Sequence, residues 1–195
     1  MPWLNIEEDS AFVQSLRQQQ IEPTDVVILY SHCEQKLIWW KRSGEARAFP
    51  ASASPLPMSA VEGSLATPPG LHRVAEKYGD GAADGSVFIG RRLQPERYWE
   101  RSDAGPDQKA LVTTRILRLA GLQPSINAGE GLDSFERFIY IHGTNHPERF
   151  PAHGSCGCIV LLDEDLKWLY EQTPLESQVW IQQDPFDFQA ESVFA

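Results

Sequence analysis

Cysteine is scarce in this sequence: there are three in 195 residues, an odd number that does not make a disulfide framework. Basic charge is scarce as well. Seventeen Lys and Arg stand against 27 Asp and Glu, a formal net charge of −10, which disfavours approach to phosphate backbones and argues against nucleic acid as a partner. No window approaches the roughly 20 apolar residues that a spanning helix needs, so no membrane partner is expected. The opening stretch, MPWLNIEEDSAFVQSLRQQQ, has no basic start, no apolar run and no small-residue cleavage site, so it does not read as a secretory signal. The expectation is a cytoplasmic protein whose thiols stay reduced.

What is present is the composition of one turn-rich globular domain: 42% hydrophobic residues, with 14 Gly and 14 Pro. EEDSAFVQSLRQQQ reads as a short helix capped by Asp9 or Ser10, with Phe12, Val13 and Leu16 on one face. DVVILYSHCEQKLIWWK reads as two strands joined by a polar turn, and EARAFP prolongs the β pattern. Residues 55–70, rich in Pro, Gly and Ser, read as a loop. LHRVAEKYG, SVFIGRR and LVTTRILRLAG are β-like runs. In the last of them Leu117 and Leu119 alternate with Arg118, the pattern of a half-buried strand. FIYIHG reads as a buried strand ending at His142. DEDLKWLYEQ reads as a helix capped by Asp163, and SQVWIQ as a closing strand. The count predicts a mainly β fold with short helices.

The chemistry concentrates in IYIHGTNHPERFPAHGSCGCIV, which holds His142, His146, His153, Cys156 and Cys158. His142 stands at a strand end, and Cys158 follows 16 residues later, ahead of a helix. A thiol at such a junction meets helix N–H groups that favour the thiolate, and a neutral imidazole can take its proton. Gly154 and Gly157 would let backbone amides approach an oxyanion. A metal site and a Cys156–Cys158 redox pair are the competing readings. The first lacks the usual spacing of paired zinc cysteines, and the second closes a very small, strained ring. Buried inert cysteines are the plain alternative. His146 and His153 read as solvated loop residues, and His32 and His72 show no partner.

IHGTN followed by SCGCIV resembles the active-site signature of the YkuD-type L,D-transpeptidase family. The upstream segments VVILYSHCEQKLIWWKRSGEARAFPASAS, TPPGLHRV and LVTTRILRLAGLQP resemble its opening hairpins, its Thr-Pro-x-Gly turn and the strand leading into its site. The resemblance implies a β-sandwich-like catalytic domain over residues 25–182, preceded by a helical segment (1–24) and followed by a tail (183–195). It implies Cys158 as nucleophile and His142 as base, with Gly157 and Cys158 donating oxyanion amides. It also implies Ser155 as an orienting group, and Thr144, Asn145 and Cys156 beside the pocket. No cofactor and no metal enter that chemistry. Two positions depart from the signature: its second histidine is Cys156 here, and the arginine after the cysteine is Val160.

The family attacks the bond between the L-centre of a diamino acid and the terminal D-Ala of a peptidoglycan tetrapeptide. For a cytoplasmic member the resemblance implies an L,D-carboxypeptidase of murein recycling, with a peptidoglycan-derived muropeptide as its partner. The alternatives are a transpeptidase that forms crosslinks or exchanges D-amino acids, and a non-catalytic muropeptide-binding protein on the same fold.

Overall fold

The computed structural model describes residues 10–105, 110–152 and 154–186. It contains α1 (Ala11–Gln19), β1 (Val26–Ser31), β2 (Lys36–Lys41), β3 (Ala46–Pro50), β4 (Gly70–Tyr78), β5 (Ser86–Ile89), β6 (Arg92–Arg97), β7 (Val112–Gly121), β8 (Tyr140–Gly143), β9 (Ile159–Val160), α2 (Asp163–Gln172) and β10 (Gln178–Gln182). The strands form one sheet in the order β3-β2-β1-β10-β4-β7-β5-β6, with β8 branching from β7 and β9 pairing with β8.

A single bridge closes this sheet on itself. Ser52, just past β3, exchanges backbone hydrogen bonds with Val160 of β9, 2.9 Å in one direction and 2.8 Å in the other. The chain of pairings therefore runs β3-β2-β1-β10-β4-β7-β8-β9 and returns to residue 52. The expected mainly β, sandwich-like domain is what forms.

Side-chain alternation explains why β1 reads as a continuous apolar run. Val26, Ile28 and Tyr30 face the main core with Leu37, Trp39, Val74, Val179 and Ile181. Val27 and Leu29 face the other way, with Ile38, Trp40, Leu71 and Trp180. Successive residues of a strand point to opposite faces, so a strand covered on both sides must be apolar throughout. The cover on the second face is α1, which buries Phe12 and Leu16 there. Ser10 is its cap, its Oγ accepting the Val13 N–H at 3.3 Å. On the opposite side α2 sends Leu166, Leu169 and Tyr170 into the main core. Its first turn is preceded by Leu162, and Asp163 lies inside the helix rather than capping it.

Two sequence readings are corrected here, and one strand forms that the sequence did not suggest. β7 is not half-buried: Arg115 and Arg118 are buried along with Ile116, Leu117 and Leu119. Arg118 tolerates this because its guanidinium donates to Glu76 and to the Phe135 carbonyl, both at 2.8 Å, and stacks on the Phe135 ring at 3.3 Å. The apolar run FIYIHG is strand only from Tyr140 to Gly143. Phe138 has φ +56° and is 48% exposed. β6 forms although it contains Pro95, which an edge strand permits because no ladder bond is lost there.

His72, without a visible partner in the sequence, is fully buried on β4 between the Gly70 carbonyl (3.0 Å from Nδ1) and Ser134 Oγ (2.9 Å from Nε2). Burial pushes its pKa down to about 4. The folded protein therefore holds it neutral while the unfolded chain, near 6.5, takes up a proton as pH falls. Stability conferred this way is complete above about pH 6.5 and is lost progressively toward pH 4, by about 2 kcal/mol at pH 5. Urea midpoints should fall between pH 7 and pH 5, and His72→Gln should flatten that fall while lowering stability at pH 7. An unchanged pH slope in the variant would remove His72 as its source.

Candidate active site

His142 sits in the middle of a three-strand arrangement. It pairs with Ile116 of β7 on one side and, in parallel, with Val160 of β9 on the other. Its backbone carbonyl accepts the Leu161 N–H at 3.0 Å. The imidazole is 6% exposed, and its Nδ1 lies 2.7 Å from the Gly143 carbonyl. A carbonyl only accepts, so Nδ1 carries the proton and Nε2 keeps its lone pair. Burial lowers the pKa to about 4, partly offset by that carbonyl. The ring is therefore neutral at pH 7, with a basic nitrogen available. Gly143 is glycine because Asp163 and Thr113 press against its Cα, leaving no room for a Cβ.

The thiol comes to the same strand from the loop before β9. Cys158 Sγ accepts the Tyr140 N–H at 3.4 Å and lies 3.6 Å from the Phe138 carbonyl, so it is docked on the backbone that leads to His142. It packs against Tyr140 and Ile116. No hydrogen bond joins Sγ to the imidazole in this state; the two groups share neighbouring positions on β8. Burial pushes the Cys158 pKa up to about 11. The Tyr140 N–H and the Arg137 charge work against that rise, and Cys156 adds to it. The junction foreseen from the sequence is different in form. The two residues of β9 and then Leu161 and Leu162 stand between Cys158 and α2, so the thiol does not open the helix directly.

The loop around the thiol is tightly held. Gly157 has φ +119°, and a Cβ there would meet the Ala66 carbonyl at 2.9 Å and Ile139 Cδ1 at 3.1 Å. Its N–H is already bound to Ser155 Oγ at 3.1 Å, and Ser155 in turn donates to the Cys158 carbonyl. Ser155 thus braces the loop and does not touch the imidazole, and the Gly157 amide is occupied. The Cys158 N–H has no acceptor among the described residues, so it is free to donate to a bound group. Cys156 is an exposed free thiol.

Thr144 and Asn145 are buried beyond His142. Asn145 Oδ1 takes the Leu111 N–H at 2.7 Å, and its amide donates to Ala104 and His146. Thr144 Oγ1 accepts the His146 N–H at 3.0 Å and lines a hollow of about 280 Å³ with Tyr98, Pro147, Leu162 and Asp163. Neither side chain bonds Cys158 or His142. His146 is not the solvated residue expected: it is 2% exposed, with Nδ1 3.2 Å from Glu148 and Nε2 3.1 Å from Asn145. His153 lies outside the described residues.

The sequence did not single out Arg137, which donates to the carbonyls of Ser59 and Ala66 at 3.1 and 2.8 Å and to Ser64 Oγ at 3.3 Å. It ties the 55–69 loop against the thiol loop and adds positive charge beside Sγ. It stands five residues before His142, and an isolated arginine at that spacing carries no pattern.

A thiol with its pKa pushed up to about 11 reacts through a minute thiolate fraction at pH 7. Alkylation of Cys158 by iodoacetamide, mapped by peptide mass spectrometry, should be slow at pH 7 and still be climbing at about pH 10. A plateau near neutral pH would show a preformed thiolate instead.

The family model of the YkuD L,D-transpeptidase catalytic domain matches residues 25–181. No curated protein matches. Among solved structures, an L,D-transpeptidase from Mycobacterium smegmatis is 17% identical, with a TM-score of 0.47 over 81% of this chain and 58% of that one. L,D-transpeptidase 3 from Mycobacterium tuberculosis, in complex with a faropenem-derived adduct, is 19% identical, with a TM-score of 0.49 over 82% of this chain and 60% of that one. The chain thus spans about three fifths of the length of these neighbours. With a family model covering most of its length, including both His142 and Cys158, the chain belongs to the YkuD family of L,D-transpeptidase catalytic domains.

Proposed function

We propose that this protein performs cysteine-dependent acyl transfer on peptidoglycan-derived peptides, and that it acts as an L,D-carboxypeptidase releasing the terminal D-Ala of tetrapeptide stems. One observation carries the reading. A neutral imidazole, its Nδ1 proton held on the Gly143 carbonyl, lies on the same short strand whose backbone docks the thiol.

In this reading Cys158 attacks the carbonyl carbon that precedes D-Ala, and its proton passes to His142 Nε2. The imidazolium is supported at Nδ1–H by Gly143. The Cys158 N–H faces the oxyanion. Collapse breaks the C–N bond, His142 returns the proton to the departing amine, and a thioester remains on Sγ. Water, deprotonated by His142, then releases the tripeptide. Resting pKa values of about 4 and about 11 keep the proton on sulfur, so the transfer belongs to the substrate complex, where closure around the peptide brings Nε2 to Sγ.

Water is the default acceptor unless a second site raises the effective concentration of an amine. Three free cysteines, two of them exposed, support a reducing compartment such as the cytoplasm, where soluble muropeptides from wall turnover would be the substrate. Among the described residues no helix is long and apolar enough to cross a membrane.

A second reading, a muropeptide-binding protein, draws on the raised thiol pKa and the open Cys158–His142 pair. Activity separates the two. Cys158→Ala should remove at least roughly 10³-fold of D-Ala release. His142→Ala should cost roughly 10²–10⁴-fold, and Cys156→Ser no more than about tenfold. Near-normal turnover in Cys158→Ala would end the assignment. Mass spectrometry of wild-type products from disaccharide tetrapeptide should show tripeptide and free D-Ala, with little dimer. Dimer in excess of tripeptide would favour transpeptidation, and a reduced protein that releases no D-Ala would favour the binding reading.

A further inference from the structure

We infer that Arg91, together with the Tyr140 hydroxyl, is the binding site for a carboxylate of the donor peptide, an assignment that rests on Cys158 being the reacting thiol. Arg91 lies in the turn between β5 and β6, where Ile89 pairs with Arg92. The two turn residues, Gly90 and Arg91, have φ +55° and +65°. Such a left-handed pair favours glycine or asparagine at both positions. An arginine held there against backbone preference points to a use for its side chain.

That side chain reaches both residues that hold the thiol. Its Nη1 donates to Tyr140 Oη at 3.2 Å, and its guanidinium carbon lies 4.9 Å from the centre of the Phe138 ring. The Tyr140 amide and the Phe138 carbonyl are the groups that contact Cys158 Sγ. Because Tyr140 accepts from Arg91, its own O–H remains to donate. The guanidinium and the phenol together present convergent donors of the kind that grips a carboxylate.

The charge of Arg91 is only partly answered: its guanidinium also hydrogen-bonds the Tyr78 hydroxyl, and Glu76 lies within its electrostatic reach. No carboxylate forms an ion pair with it among the described residues. The nearby Glu76 is taken by Arg118 at 2.8 Å and by the Tyr78 hydroxyl at 2.6 Å. In a chain with 27 acidic and 17 basic residues, such an arginine on the side chains of the two residues whose backbone contacts the candidate nucleophile marks a place for an anion from outside. Val160, where the family signature has an arginine, is buried in β9 and brings no charge. Around Arg91, Ile89, Leu93 and Phe138 are 53%, 54% and 48% exposed, an apolar rim that suits the aliphatic portions of a peptide.

Where the diamino acid is dicarboxylic, two carboxylates of a tetrapeptide stem lie within one residue of the bond to be cut: the terminal carboxylate of D-Ala and the side-chain carboxylate of that diamino acid. Binding and turnover distinguish them. Cys158→Ala protein would be titrated calorimetrically with three peptides: the free tetrapeptide, the form amidated at its terminus, and the form amidated on the diamino acid. Arg91→Gln, added to that background, should weaken binding of the free acid by about 10- to 100-fold, with partial recovery in Arg91→Lys. One amidated peptide should bind equally to both proteins, and its position names the carboxylate that Arg91 holds. If Arg91→Gln changes all three affinities alike, or none, the assignment is overturned. In the protein with Cys158 intact, Arg91→Gln should raise KM far more than it lowers kcat. Protein that releases no D-Ala yet binds peptide in an Arg91-dependent way would overturn the catalytic reading and keep this site. Active protein whose peptide affinity ignores Arg91 would do the reverse.

Discussion

The backbone ladder that seats β8 between β7 and β9 is the constraint on which the rest of the structure depends. β8 is four residues long and β9 only two, so each of their pairings carries weight. Pairing with β7 places His142 opposite Ile116, and parallel pairing with β9 places it beside Val160. The residue before β9 is Cys158, and the first residue of β8 is Tyr140. The register therefore delivers the Tyr140 amide to Sγ. A slip of one residue would turn every side chain to the opposite face and take His142 and Cys158 out of reach of one another. The Ser52–Val160 bridge locks that register by closing the sheet.

Around this ladder the protein trades solvation for position. His142 is nearly fully buried, which keeps it neutral and lets one carbonyl set its tautomer. Cys158 is desolvated as well, and the same burial that docks it raises its pKa. In a site built this way burial holds the proton on sulfur and leaves the imidazole neutral. The arginines near it answer different needs. Arg137 and Arg118 spend their donors on carbonyls, a serine and Glu76, holding the loops in place. Arg91, on an exposed turn, bonds the Tyr140 and Tyr78 hydroxyls and forms no ion pair among the described residues.

Much was legible in the sequence because it depended on local pattern. The helix start at Ser10, the hairpin of β1 and β2, the loop at 55–69 and the helix of Leu166, Leu169 and Tyr170 each follow from residue spacing and turn chemistry. The His142 and Cys158 pair was legible through family signature, since two residues 16 apart carry no geometry of their own. What failed was burial at a distance. Arg118 looked like the solvent face of a strand until Phe135, far along the chain, covered it. His146 failed for a different reason: its sequence neighbours Asn145 and Glu148 bond its ring, a contact set by side-chain geometry that no residue pattern announces.

By itself the sequence determined that an acidic, mainly β fold would form, where most of its strands begin and end within a few residues (β6 and β9 aside), and which histidine and cysteine its family signature marks. Only the tertiary structure decided that Gly157's amide is occupied while Cys158's is open, that the thiol rests against the Tyr140 amide, and that Arg91 reaches the Tyr140 hydroxyl. The physical reason is one of range. Strand and helix patterns are written in neighbours a few residues apart. Hydrogen-bond occupancy, desolvation and the meeting of charges depend on which distant segments the closed sheet brings together.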